Sequence, residues 1–392
     1  MGILRDQSGD CHFNARAASS DIHKTILEGK SLTVVVHIAG NLMSSDVHKH
    51  IIDGLDVCQS SRSTVIVPAK RSQHARKLHL LDWRADILFC ETPRWVRYFP
   101  VIKQLLVLLI VLIRHRRLVK DAKKIYGHSL WTDGFLCWAL SRYSQAQYYL
   151  FVRNTDLNVF FRIPWIRALM KVMVARASRV FVPSKAYFHR MASAFDDTPR
   201  KVKLIPNGID QYWHENFYSD ALNAQRRDLI FVGKADGNKN LKKVFAAVCL
   251  SKKKSLFEHF HVVGLSESEF FGITGVKTPP GWVSVHGIVD KVTLLGLYRR
   301  SRILVLPSFK ETFGLVYLEA ITQGCAVICS RGQGLSNELA DYDFCETVNP
   351  ASVGDIEEKI SRLFKSPIGN DRLNLLQTYN WQKICMDLCL AS

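Results

Sequence analysis

The sequence has no Cys-x-x-Cys pair, no G-x-x-x-x-G-K-S/T loop and no G-x-G-x-x-G following a strand. The first absence argues against a zinc knuckle or a paired-thiol redox motif. The second argues against a Walker-type phosphate loop, and the third against a dinucleotide-dependent oxidoreductase. Zinc-finger spacing, a basic zipper and an RNA-binding aromatic signature are also missing, so nucleic acid is not an expected partner. The apolar run Leu105–Ile113 is too short for a bilayer span, which needs about 20 residues. Residues 1–30 lack the basic start, apolar centre and small-residue cleavage site of a secretory signal, and read as a loose leader. The ten cysteines are scattered, with Cys325/Cys329 and Cys385/Cys389 four apart. They read as buried free thiols of a cytoplasmic protein.

What is present is a long, oily and strongly basic chain. Its 392 residues are 47% hydrophobic and 22% charged, enough for a sizeable core and about two domains. The formal charge of +18 predicts polyanionic partners such as acidic lipid or phosphorylated small molecules. Around residues 104–124 the apolar run leads into Arg114, Arg116, Arg117, Lys120, Lys123 and Lys124. Around 159–179, Phe160, Phe161 and Trp165 alternate with Arg162, Arg167, Lys171 and Arg176. Together they predict contact with an anionic membrane surface. Leu105–Ile113 taken alone reads as a buried helix with a solvated basic rim.

Short apolar runs recur from "SLTVVVHIAG" at 31–40 to "DFCETVNP" at 343–350, many of them separated by helical patterns. Ser44 or Ser45 is expected to cap the first helix. Continuous apolar strands alternating with helices indicate parallel sheets covered on both faces. The number of strands favours an α/β chain of two doubly wound halves. The expected organisation is a leader over 1–30, a first domain over 31–208, a second over 209–378 and a closing helix over 379–392. In such sheets ligands sit at the carboxyl ends of strands.

Two strand ends in the second half carry candidate chemistry. In "IFVGKADGNKNLKKV", Gly233, Lys234 and Lys239 precede a helix and could cradle a diphosphate. In "VLPSFKETFGLVYLEAITQG", Ser308 is a candidate cap, and the N–H groups of Thr312, Phe313, Gly314 and Leu315 are expected to be free for an anion. Gly314 permits close approach of a ligand. Glu311 and Glu319 are positioned to bracket one polyhydroxy ligand.

These residues, with "PNGID" at 206–210 and "EAITQGCAVI" at 319–328, resemble the retaining nucleotide-sugar glycosyltransferases of family 4. The resemblance spans roughly residues 30–390 and is stronger in the second half. It implies the GT-B fold, two Rossmann-like domains facing across a cleft with a C-terminal helix crossing back. It implies that Glu311 faces the donor sugar, Glu319 holds the ribose, and Lys234 and Lys239 grip the diphosphate. Asn207 and Gly208 would line the hinge side, and Gly287 and Ile288 would lie near the base. The partners implied are a nucleotide-sugar donor and a glycan or lipid-linked acceptor, with no metal or other cofactor, at the inner face of the plasma membrane.

The sequence departs from the family pattern in places. Lys234 stands where Arg is frequent, and Gly334-Leu335-Ser336-Asn337-Glu338 has lost one glycine of Gly-Gly-x-x-Glu. Gly40 alone remains of the glycine-rich loop after the first strand. Arg153 takes the place of a family histidine, and Asn154 and Asp156 after it are expected, with Gly40, to lie on the acceptor side. A guanidinium is a poor proton shuttle but can bind phosphate or an acceptor. His128 resembles an acceptor-contacting loop residue. The only Asp-x-Asp, Asp341-Tyr342-Asp343, reads as a solvated turn. Rival readings are a GT-B epimerase or phosphorylase and a non-catalytic basic binding protein.

Overall fold

A computed structural model of the chain describes residues 33–42, 45–68, 83–195, 200–219, 226–366 and 371–392. The leader reading and the Ser44 cap fall outside these residues. Thirteen strands are described: β1 Val34–Ile38, β2 Arg62–Val67, β3 Asp86–Phe89, β4 Lys124–Gly127, β5 Gln147–Phe151, β6 Arg179–Val182, β7 Val202–Leu204, β8 Asp228–Val232, β9 Phe260–Val263, β10 Val283–Val285, β11 Ser301–Val305, β12 Ala326–Ser330 and β13 Cys345–Val348. Each overlaps an apolar run expected to be a strand.

The first sheet has the order β3-β2-β1-β4-β5-β6-β7 and the second β10-β9-β8-β11-β12-β13. In both, the strand order reverses beside the first strand of the half, the doubly wound pattern expected. Pairings such as β1–β2, β8–β11 and β11–β12 are parallel. β12, Ala326-Val-Ile-Cys-Ser330, is buried at every residue, as a strand covered by helices on both faces must be. The two sheets lie within residues 34–204 and 228–348. By compactness the chain divides differently: one unit runs to Tyr126 and takes in Ala139–Gln147, and the other holds Gly127–Trp138 and Tyr148–Ser392.

Within the second unit, helix Val353–Lys365 shows why the helices form where they do. Ile356, Ile360 and Leu363 fall on one stripe and are buried, and the Ser352 hydroxyl accepts from the Asp355 N–H at 3.1 Å. The closing helix Trp381–Ala391 starts against "PNGID": the Ile209 N–H donates to the Tyr379 carbonyl at 2.9 Å. Its far end returns to the first sheet, where the Tyr149 hydroxyl of β5 donates to an oxygen of Ser392.

Three local expectations need correction. Ser45 precedes Asp46, the N-cap of helix Val47–Gln59, although its hydroxyl does accept from the Val47 N–H at 3.3 Å. Ser308 caps nothing: its hydroxyl is buried without a partner, and its carbonyl accepts from Ser330. Leu105–Ile113 is not a buried run. In helix Pro100–Arg114 only Gln104, Val107 and Val111 are buried, while Ile102, Leu105, Leu109 and Ile113 form an exposed apolar stripe.

Gly208 has a packing role that its place in an Asn-Gly turn did not reveal. A Cβ there would lie 2.5 Å from the Trp381 ring. Gly208→Ala is therefore expected to destabilise the fold by about 1–3 kcal/mol, as overpacking does. Urea unfolding would measure it, and the smaller Trp381→Leu should recover part of the loss when combined with it.

Candidate active site

The loops after β8 and β11 meet because those strands are neighbours, and two asparagines sew them together. The Asn238 side chain donates to the Lys310 carbonyl at 2.9 Å and accepts from the Lys310 N–H at 2.9 Å. Asn240, at φ +64°, donates to the Pro307 and Pro350 carbonyls at 3.0 and 2.7 Å. Helix Leu241–Lys253 begins at this residue. Neither asparagine was singled out from the sequence. The available signal was an Asn one residue before a helical pattern, a position that tolerates the left-handed conformation.

The clamp brings Lys239 to Glu311, with Nζ to Oε2 at 2.8 Å and both side chains largely buried. Gly233 lies under Lys239: a Cβ there would meet the Lys239 Cγ at 3.3 Å. Lys234 is exposed beside them. Glu311 is held on several sides. Its other oxygen accepts from the Thr312 N–H at 3.1 Å, its own N–H donates to Gln333 at 3.3 Å, and its carbonyl accepts from Gly334 at 2.9 Å. The Thr312 N–H is thus already occupied, contrary to the expectation of a free donor. Phe313 is buried against the Tyr379 ring. Gly314, at φ +91°, is the N-cap of helix Leu315–Thr322, and a Cβ on it would lie 2.4 Å from the Tyr317 ring.

Glu319 sits in a different company. Its carboxyl is raised from 4.5 to about 7, by burial first, with Lys291 opposing and Asp210 adding to the rise. Lys291 itself pairs with Asp210 at 2.5 Å. Gly287, at φ +68°, follows β10, and its carbonyl accepts from the Gly264 N–H at 2.6 Å. Ile288 beside it is 91% exposed. Asn207 is partly buried next to the packed Gly208.

A second cluster gathers His128, Arg153, Asn154 and Asp156. Asp156 is buried and accepts three backbone N–H groups, from Leu130, Trp131 and Arg153, at 2.9, 3.0 and 2.7 Å. It clasps the turn before helix Thr132–Ser144 and starts helix Asn154–Asn158. The Arg153 Nε donates to the His128 carbonyl at 2.9 Å, and its Nη2 is buried without a hydrogen-bond partner. Burial lowers Arg153 to about 10, with Asp156 and Asp133 opposing. It remains a cation at neutral pH. The His128 ring is buried and stacks on Phe151 at 5.3 Å.

The cluster is wired to the Glu311 loop. The Asn158 amide donates to Asn154 and to the Tyr187 hydroxyl, which faces the Thr312 side chain closely enough to feel it electrostatically. The Ser184 hydroxyl donates to the Thr312 carbonyl at 3.0 Å. Ser184 and Tyr187 were not foreseen, since nothing in "FVPSKAYFHR" marks them apart from a strand end and a helix start. Gly40, partly buried, follows β1 in the other unit.

Glu319 generates a pH prediction. Because its folded-state value lies above its ordinary one, the folded chain holds a proton that the unfolded chain releases between pH 4.5 and about 7. The stability from that proton is full below pH 4.5 and is lost as pH rises through about 7. Glu319→Gln should flatten this part of the pH–stability curve and make the variant more stable than wild type above pH 7. Urea midpoints at pH 5 and pH 8 would show it, and parallel curves for the two proteins would refute it.

Residues 214–378 match the family model described as glycosyl transferases group 1. The D-inositol 3-phosphate glycosyltransferase of Arthrobacter sp. (strain FB24) is 24% identical over 228 residues, 54% of this chain and 54% of that protein. The O-antigen chain mannosyltransferase B of Escherichia coli is 28% identical over 166 residues, 41% of this chain and 40% of that one. The chain thus spans about half the length of the curated relatives it matches. Among solved structures, sucrose-phosphate synthase (tll1590) from Thermosynechococcus elongatus aligns with a TM-score of 0.70 at 17% identity, covering 91% of this chain and 97% of that one. WaaG, a glycosyltransferase involved in lipopolysaccharide biosynthesis, aligns with a TM-score of 0.60 at 13% identity, covering 91% and 95%. The second half of the chain is thus similar to the glycosyl transferases group 1 over residues 214–378, and the chain has the GT-B fold of two parallel, Rossmann-like sheets.

Proposed function

We propose that the protein is a retaining hexosyltransferase that moves a sugar from a nucleotide-diphosphate donor to a glycan or lipid-linked acceptor during bacterial surface polysaccharide assembly. The observation that carries this reading is the Lys239–Glu311 pair, set where the carboxyl ends of β8 and β11 meet a helix start. One structure of similar fold, Anabaena Alr3699/HepE, was solved with UDP-glucose, and the O-antigen mannosyltransferase and WaaG act in surface glycan synthesis by their names.

The chemistry follows from charge. Breaking the anomeric C–O bond leaves the electron pair on the diphosphate and an oxocarbenium-like sugar. Lys239 and Lys234, with the N–H groups opening helix Leu315–Thr322, stabilise the departing negative charge without a metal. Glu311 pairs with Lys239 in the structure. An incoming diphosphate takes over the lysine, which releases Glu311 toward the donor sugar. The acceptor oxygen then bonds the anomeric carbon on the face the diphosphate leaves, and its proton passes to the departing phosphate oxygen. Glu319, near its midpoint at neutral pH, accepts or donates hydrogen bonds to the ribose hydroxyls. Arg153 and Asn154 lie on the acceptor side.

A lipid-linked acceptor would bring the protein to a membrane surface. No helix among the described residues is long and apolar enough to cross a membrane. Helix Pro100–Arg114 instead presents Leu105, Leu109 and Ile113 at 50%, 53% and 67% exposure. Trp95 and Phe99, also exposed, precede it, and the exposed Arg114, Arg116, Arg117 and Lys120 follow. Apolar residues beside cations suit the boundary of an anionic bilayer.

Three outcomes test the reading. With a panel of nucleotide sugars, the cognate donor should turn over, and Lys239→Ala or Glu311→Ala should lower kcat about a hundredfold, as loss of one charge-stabilising group does. The matching nucleoside diphosphate should raise the melting temperature of wild type and not of Lys239→Ala. Cosedimentation should show binding to vesicles containing anionic lipid that weakens with salt and is lost in Leu105→Ser/Leu109→Ser, while neutral vesicles bind little. Turnover unaffected by both active-site changes would defeat the assignment.

A further inference from the structure

The outer strands of the second sheet do not follow the apolar rule that β12 obeys. Around β9 the sequence reads His259-Phe260-His261-Val262, and around β10 it reads Val283-Ser284-Val285-His286. Alternation of this kind gives each strand one polar and one apolar face. Phe260, Val262 and Val283 are buried in the core. The opposite face carries His259, His261, Ser284 and His286. In register, His261 lies beside Ser284 of β10 and Ile230 of β8, so Asp228, two residues before Ile230, shares that face.

Across it the side chains form a row of contacts. The His259 N–H donates to Asp228 Oδ1 at 3.1 Å, which holds the carboxylate in place. Asp228 Oδ2 lies 3.2 Å from His261 Nε2. A carboxylate only accepts, so Nε2 carries the His261 proton and Nδ1 is left with its lone pair. That Nδ1 lies 3.1 Å from His286 Nε2. Two nitrogens bound to one tetrahedral zinc ion stand about 3.3 Å apart, so the pair is already near ligand spacing. A carboxylate on the far nitrogen is also what fixes the tautomer and the orientation of a metal-binding histidine. His261 is buried and His286 half-buried, so an ion reaches the pair from the His286 side. The His259 ring is held elsewhere, by the Ser284 hydroxyl at 2.8 Å. Among the described residues no three His, Cys, Asp or Glu side chains are grouped to hold a metal ion, so the protein's share is two imidazoles.

We infer that His261 and His286 bind a divalent transition ion of the zinc type through Nδ1 and Nε2, with Asp228 orienting His261 and water completing the coordination. Imidazole ligands suit zinc, copper and nickel and do not suit magnesium or calcium. The ion would tie β9 to the end of β10 at the edge of the sheet. The inference is independent of the donor reading, because it uses none of the residues assigned to the donor and the transfer step proposed above runs without the ion.

Calorimetric titration of zinc chloride into the full chain, first freed of metal with a chelator, would test it, with magnesium chloride as the control. Wild type should take up a saturable equivalent of zinc that magnesium does not reproduce. His286→Ala should lose that equivalent, and Asp228→Asn should weaken it about tenfold, as removal of an orienting carboxylate does. Zinc should raise the melting temperature of wild type more than that of either variant. Both altered side chains are partly exposed, so both variants are expected to fold. Zinc uptake with the same stoichiometry and affinity in wild type and His286→Ala, an adventitious ion only, would overturn the inference, as would magnesium binding as tightly as zinc. Should His286→Ala not fold, unchanged zinc affinity in Asp228→Asn would overturn it.

Discussion

The contact between Lys239 and Glu311 exists because of a constraint set far from either side chain: β8 and β11 run parallel and side by side. Parallel pairing puts both strand ends, and both following loops, on one edge of the sheet. Asn238 and Asn240 then fix the loops to each other through carbonyls and an N–H group, so the lysine, at the end of a short 3-10 turn over Gly237–Lys239, meets the carboxylate. The pair is mostly withdrawn from water, and removing one partner leaves a partly buried charge uncompensated. A site of this kind is ready for exchange. A ligand with more negative charge than one carboxylate competes for the lysine, and the displaced Glu311 remains held through its backbone by Gln333 and Gly334.

How much of this was legible in the sequence follows from the range of the interactions. The strands could be read because a parallel strand buried on both faces must be continuously apolar, as β12 is. The Lys239 and Glu311 loops could be read because each follows such a strand. The doubly wound pattern also put the candidate site at the carboxyl ends. The clamp could not be read: Asn240 acts through carbonyls of Pro307 and Pro350, more than sixty residues away in sequence. Asp156 looked like an acceptor-side acid, yet three N–H groups from two separate turns converge on it. Gly208 looked like a turn residue, and its reason is the ring of Trp381. In each case local chemistry suggested one role and a distant partner supplied another.

Helix Pro100–Arg114 was misjudged for a related reason. A run of mostly apolar residues gives no periodicity from which to tell a buried helix from one that exposes a stripe. Only packing decides, and here it buries Gln104, Val107 and Val111 while leaving Leu105, Leu109 and Ile113 in solvent. An apolar stripe of that size on a soluble surface costs free energy unless something covers it. The adjacent cations are what led us to propose a lipid surface as that cover.

Arg153 bears most directly on the chemistry. Where relatives of the resembled family carry an imidazole, this chain has a guanidinium that stays charged even after burial pulls it down to about 10. Its Nε is committed to the His128 carbonyl, so it is fixed in place as well as in charge. A group that cannot release a proton near neutral pH cannot relay one from an acceptor hydroxyl. In the proposed transfer the proton must therefore go to a base that appears during the reaction. The departing diphosphate is such a base, because it gains charge as the anomeric bond breaks. The substitution that departs from the family pattern thus favours attack on the leaving-group face, where acceptor oxygen and departing phosphate are close enough to share that proton.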